Sequence, residues 1–176
     1  MATKRADRES SKARAKRVRA AGKYKPATVD LLLVAEAPPS ALDRYFYFAD
    51  VMEHDSLFRY VVRAVLKREP TRGAKGEFLS LLKEKGTFLI DLKVDPLDAS
   101  HLTEHVPDLV RRCRRLRPRK IILIKSTVYD AAYRPLREAG LPVVDERVPF
   151  PGSGQQLRFL EAFGRALRKR PPKATG

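Results

Sequence analysis

A short apolar run that stops at two prolines constrains this chain more than any other feature. Leu31-Leu32-Leu33-Val34-Ala35 reads as one buried strand, and Glu36-Ala37-Pro38-Pro39 ends it abruptly. Proline locks φ and has no N–H for a ladder, so these residues predict a stiff turn that lifts Glu36 out of the sheet. An acidic residue at the carboxyl end of a central strand is where open α/β sheets place their chemistry. Tyr45-Phe46-Tyr47-Phe48 follows shortly after. A carboxylate beside an aromatic shelf suits a pocket that stacks a flat ring.

The remainder alternates strand-sized and helix-sized segments. Strands are predicted at 28–35, 87–92, 119–125 and 142–147, each short and rich in Val, Ile or Leu. Helices are predicted at 41–52, 55–68, 75–85, 104–116, 127–139 and 155–169. Asp55 is placed to cap the second helix and Gly140 to close the fifth, while Pro135 predicts a break within that fifth segment. Such alternation implies right-handed crossovers and a parallel sheet between helices. The expected fold is therefore α/β, a three-layer α/β/α sandwich around a four-stranded parallel sheet. There is no internal repeat.

Charge divides the chain further. The 176 residues carry a net +16, which points to a polyanionic partner, nucleic acid before an anionic membrane surface. Residues 1–25 hold ten Lys/Arg against Asp7 and Glu9, with almost no large apolar side chain. The segment 1–26 is expected to be disordered on its own, because it cannot offset its ordering entropy by burial. One domain spans 27–168, and 169–176 forms a second basic tail. Both tails suit sequence-independent phosphate contacts. No run has the length of a membrane span or the pattern of a signal peptide. The single cysteine, Cys113, excludes an intrachain disulfide and any four-cysteine metal site, and suits a reducing cytoplasm.

Two smaller features have plain explanations. His101 and His105 stand four apart around Glu104, but without a third ligand they read as a solvated helix start. Cys113 lies among Arg111, Arg112, Arg114 and Arg115, and shares an apolar stripe with Val106, Leu109, Val110 and Leu116. That stripe makes it a small buried contact, with the arginines on the solvated face.

Four segments, in order, resemble the uracil-DNA glycosylase superfamily across about residues 28–168. Val34-Ala35-Glu36-Ala37-Pro38-Pro39 is similar to the first motif of the branch that has Gly-Glu-Ala-Pro-Gly, with Ala35 and Pro39 in place of glycines. Phe88-Leu89-Ile90-Asp91-Leu92-Lys93 resembles the second strand, whose end supplies a base-reading residue. Arg112 to Ile122 resembles the helix, Arg-Pro turn and third strand. Pro149-Phe150-Pro151-Gly152-Ser153-Gly154 sits where the family carries its His-Pro-Ser motif.

The resemblance implies a monomeric DNA-repair enzyme that flips out a deaminated or damaged base and hydrolyses its N-glycosidic bond, without metal or cofactor. Glu36 would then position water or stabilise the sugar cation, and the backbone at Ala37 would hold that water or touch the base. Phe46 or, preferably, Phe48 would stack on the base. Asp91 would face the base edge, and Phe150 would lie beside it. Gly152, Ser153 and Gly154 would approach a DNA phosphate. Three departures accompany the resemblance. Asp91 stands where the family reads uracil with asparagine, and an ionised aspartate can only accept. Phe150 replaces a donating histidine, a loss that commonly costs roughly 10²–10³ in rate. The branch's iron–sulfur cysteines are reduced to Cys113. A non-catalytic DNA- or lesion-binding module, or a nucleotide-binding protein, are the alternative expectations.

Overall fold

The computed structural model describes residues 2–51 and 55–173, with side chains from residue 10 onward. A long helix α1 (Ala2–Lys23) precedes strand β1 (Leu31–Ala35). Helices α2 (Ser56–Leu66) and α3 (Lys75–Glu84) lead to β2 (Thr87–Asp91). A 3₁₀ turn (Leu102–His105) runs into α4 (Val106–Leu116), then β3 (Lys120–Leu123), α5 (Ser126–Glu138) and α6 (Gln156–Arg168). The fold is mixed α/β, a three-stranded parallel sheet flanked by helices.

Strand β1 lies at the centre, in the order β2-β1-β3. Its residues pair from Leu31 opposite Thr87 to Ala35 opposite Asp91, and from Leu31 opposite Lys120 to Val34 opposite Leu123. All five β1 residues are buried, which is why the strand is a continuous apolar run instead of an alternating one. Helix α2 packs on α3 and α6, and α4 packs on α5. Asp55 caps α2, its carboxylate accepting the Phe58 amide at 2.7 Å. The chain leaves β1 for β2 on one side and later reaches β3 on the other. The carboxyl ends of β1 and β3 therefore flank a topological switch point.

Five expectations need correction. The fourth strand, 142–147, is reduced to two isolated parallel bridges, Ile121 with Val143 and Ile124 with Val148. Two more residues separate Val143 from Val148 than separate Ile121 from Ile124, so the edge segment bulges. The bulge frees Asp145, Glu146 and Arg147 for side-chain bonds. Tyr129 donates to Asp145 at 2.5 Å, Lys169 pairs with Glu146 at 2.7 Å and Arg147 with Asp130 at 2.7 Å. Lys169 is thus anchored, not part of a loose tail. Residues 174–176 of that tail lie outside the described residues.

The helix expected at 41–52 is instead a chain of turns over 41–51, with residue 52 outside the described residues. Tyr45, Phe46 and Tyr47 are all buried in succession. A helix turns its side chains by about 100° per residue and cannot bury three consecutive rings against one surface. Pro135 does not break α5, which runs through it and stays anchored by buried Ala132 and Leu136.

The largest correction concerns the basic amino-terminal segment. Residues 2–23 form α1, and the helix is docked on the domain. Ala20 and Ala21 pack against the core, and Lys16 sits 4.7 Å over the Phe48 ring. Arg17 donates to the Val94 carbonyl at 3.3 Å and Ser10 to Asp95 at 3.3 Å. Just beyond the helix, Tyr24 is buried and stacks on Tyr47 at 6.3 Å. Alanine, lysine and arginine are strong helix formers, and the tertiary contacts supply the stabilisation that composition alone did not reveal. Among the described residues, no helix is long and apolar enough to cross a membrane.

Candidate functional site

The candidate residues lie where the three strands end, and Glu36 does not line the cavity that Asp91 borders. The prolines do not lift Glu36 from the sheet at once: its carbonyl still accepts the Lys93 amide at 2.8 Å, one step beyond the Ala35 carbonyl and Leu92 amide. The backbone is therefore held by the ladder, and only the chain beyond Glu36 turns away. Its Oε2 accepts from Thr127 Oγ1 at 2.6 Å and lies 2.9 Å from Lys125 Nζ. No hydrogen bond reaches Oε1 among the described residues, and the side chain keeps 32% of its exposure. Burial pushes the carboxyl upward, but the bonds from Thr127 and Lys125 and the charges of Lys125 and Lys93 hold it below the usual range. Glu36 is an anchored, ionised carboxylate with one oxygen open.

Lys125 reaches Glu36 from a strained backbone, at φ 83° and ψ 136°. A non-glycine residue there costs of order 1–3 kcal/mol and persists only where its surroundings over-determine it. Here the Lys125 amide donates to the Val148 carbonyl at 2.8 Å, and its own carbonyl accepts from Val128 and Tyr129 to start α5. β3 and the edge segment thus meet at the residue that holds Glu36.

Asp91 ends β2, in register with Ala35, and faces a different environment. It borders a cavity of about 280 Å³ together with Tyr45, Pro38, Arg17 and Arg112. Burial pushes its carboxyl up to about 7, against the opposing pull of the Arg112 and Arg17 guanidiniums. Arg112 is itself fixed by three bonds, to Asp91 O at 2.8 Å, Leu92 O at 3.0 Å and Asp108 Oδ2 at 2.8 Å. Next to the cavity, the Tyr47 hydroxyl donates to the Leu89 carbonyl at 3.0 Å and accepts its amide at 2.6 Å. It thereby satisfies Leu89 on the outer edge of β2, where no further strand pairs among the described residues.

The remaining predicted residues are dispersed. Ala37 lies in the turn after Glu36, as expected. Phe46 is buried in the core, edge-on to Tyr47 and Phe58, so it cannot cover a ligand without unfolding the segment. Phe48 is half-buried beneath Lys16 of α1 and edge-on to Tyr45 at 5.2 Å. The rings that line the cavity with Asp91 are Tyr45 and Phe88. Phe150 is 41% exposed and folds over Gly152, where a Cβ would come within 3.1 Å of the ring. Ser153 and Gly154 take φ of 51° and 81° and are exposed. They emerge just after Val148, the residue paired to Lys125, so this loop borders the same end of the sheet.

Several participants were not singled out from sequence. Lys125 and Thr127 follow the 121–124 apolar run just as Glu36 follows β1, and the strand-end rule could have found them. Arg112 was indistinguishable within its arginine run. Lys75 is buried at 2% exposure, its ammonium donating to the Tyr45 carbonyl at 2.9 Å and lying 5.0 Å from the Phe58 ring. Nothing in the sequence marks a lysine as buried. Cys113 is fully buried, and burial drives its thiol up to about 12, which makes it a packing residue. His105 bonds Ser100 at 2.8 Å and approaches Asp98 at 3.5 Å. No protein-family model and no curated protein sequence matches this chain.

Proposed function

We propose that this protein is a DNA-binding glycosylase of the uracil-DNA glycosylase type, which hydrolyses the N-glycosidic bond of an extruded, altered base. One observation carries the reading. Two carboxylates end neighbouring strands, and their surroundings drive them in opposite directions: Glu36 is held ionised by Lys125 and Thr127, while burial pushes Asp91 up to about 7. Such divergence is how a site divides anionic and acidic work between two like groups.

The chemistry follows from those states. Cleavage develops positive charge on the sugar and negative charge on the leaving base. Glu36, ionised and immobile, orients a water through Oε1 and stabilises the sugar cation. Asp91, with its proton retained near neutrality, can both donate to and accept from a base edge. A neutral carboxyl thereby presents the donor–acceptor pair of an amide, which removes the conflict posed by aspartate in the family's asparagine position. The three-stranded parallel sheet β2-β1-β3 with helices on its flanks is compatible with an α/β sandwich of that type. The exposed Ser153–Gly154 backbone and the net charge of +16 suit a DNA phosphate chain.

The test is excision from oligonucleotides, single- and double-stranded, each carrying uracil, hypoxanthine, xanthine, hydroxymethyluracil or ethenocytosine, scored by alkaline cleavage. Glu36→Gln should bind DNA as the parent does and cleave at least about tenfold more slowly. Equal cleavage by parent and variant would remove Glu36 from the mechanism. A lesion-recognition module without chemistry is the second reading, favoured by the exposed phenylalanine at 150 where a donor to the leaving base is needed. Tight lesion binding with no cleavage of any substrate selects it.

A further inference from the structure

The cavity beneath α1 has a charge imbalance that the proposed chemistry does not use. Its lining contains four cations, Arg14, Arg17, Lys25 and Arg112, against the single acid Asp91, with Tyr45 as a flat wall. Arg112 and Arg17 are committed to backbone carbonyls. Arg14 and Lys25 are exposed, and neither side chain makes a hydrogen bond or ion pair among the described residues. Two cations therefore stand at the cavity without a counter-charge, above an aromatic ring and a carboxyl. The volume, about 280 Å³, lies just below the usual range for ligand pockets, roughly 300–1,000 Å³, and suits one nucleotide unit, not two.

We propose that this cavity binds a single nucleoside monophosphate unit, with its phosphate at Arg14 and Lys25 and its base against Tyr45 and Asp91. The proposal rests on the reading of Asp91 as the residue that faces the base. It makes the basic amino-terminal helix a wall of the site and not a remote clamp. Guanidinium and ammonium groups match phosphate oxygens, and the tyrosine ring and neutral carboxyl match the face and edge of a base. The unit can be a free mononucleotide or part of a displaced DNA strand, since both present the same phosphate and base.

Calorimetric titration of the full chain with dUMP, dCMP, their nucleosides, inorganic phosphate and a short single-stranded oligonucleotide tests this. Monophosphates should bind one site, and the nucleosides about tenfold more weakly. Arg14→Ala with Lys25→Ala should weaken the monophosphates by about tenfold or more, leaving the thermal melt and any nucleoside binding unchanged. Arg14→Lys should restore part of the loss. Affinity for the oligonucleotide alone, lost in the same variants, assigns the site to a strand, and affinity for mononucleotides alone assigns it to the free nucleotide. Equal affinity of parent and double variant for every ligand overturns the proposal, even if excision is observed. Absence of excision with phosphate-dependent binding intact overturns the glycosylase reading and leaves this site standing.

Discussion

Glu36 and Asp91 differ by their neighbours and not by their chemistry. A carboxylate bonded by a hydroxyl and an ammonium is held below the usual range, while burial pushes the other up to about 7. The sign of the second effect can be measured. In the unfolded chain Asp91 titrates at its ordinary value, 3.8, and in the folded protein at about 7. Below the lower value both states hold the proton, and folding is unaffected. Between the two values only the unfolded chain ionises, so stability is lost as pH rises, and the loss levels off above the folded value. Asp91→Asn has no such proton and should stabilise the protein by about 2 kcal/mol near pH 8 while changing little near pH 4. Melting curves at both pH values check this. An equal gain at both would mean that the effect is packing and not titration.

At the scale of elements, turns and edges decide where the strands end. Gly86, between α3 and β2, has φ +72°, and its carbonyl accepts the Asp30 and Leu31 amides at 2.9 and 3.1 Å. This turn sets the β1–β2 register and so aligns Asp91 with Ala35. A Cβ at Gly86 would lie 2.6 Å from Asp30 Oδ2. Gly86→Ala should therefore cost about 2–3 kcal/mol, measured as a shifted denaturant midpoint with unchanged slope. A cost near zero would show that the turn adapts freely. The aromatic segment 45–48 works in the same way through burial. Tyr47 bonds Leu89 at the β2 edge and Lys75 pins the Tyr45 carbonyl, so one short stretch ties the sheet to the cavity wall.

At the scale of the molecule, charge is arranged on a scaffold and not strung along a tail. Helix α1 extends about 33 Å at 1.5 Å per residue and is docked along one side. Lys12 and Arg19 are exposed on it, and their side chains make no ion pair or hydrogen bond among the described residues. Replacing both with glutamine should leave the melt unchanged and reduce the slope of log K against log salt by about 1–2 for every DNA sequence alike. A slope identical to the parent's would place the DNA path elsewhere. Deleting residues 1–25 is a different experiment, because it removes Tyr24 from the core as well as the charge.

The amino-acid sequence by itself determined the alternation of elements, the central strand, the Asp55 cap and the position of Glu36 at a strand end. These depend on local periodicity and turn chemistry, which neighbouring residues specify. The opposite protonation of Glu36 and Asp91 could not be read in this way. It depends on Lys125, Thr127, Arg17 and Arg112, which are distant in the chain and meet only when parallel strands align their ends. The broken fourth strand was likewise invisible, since its residues have strand propensity and lose the ladder to ion pairs with α5, α6 and Lys169. Helix α1 is the clearest case. Its composition lacks the large apolar residues that fold a segment alone, and only the tertiary structure supplies the aromatic and carbonyl partners that hold it.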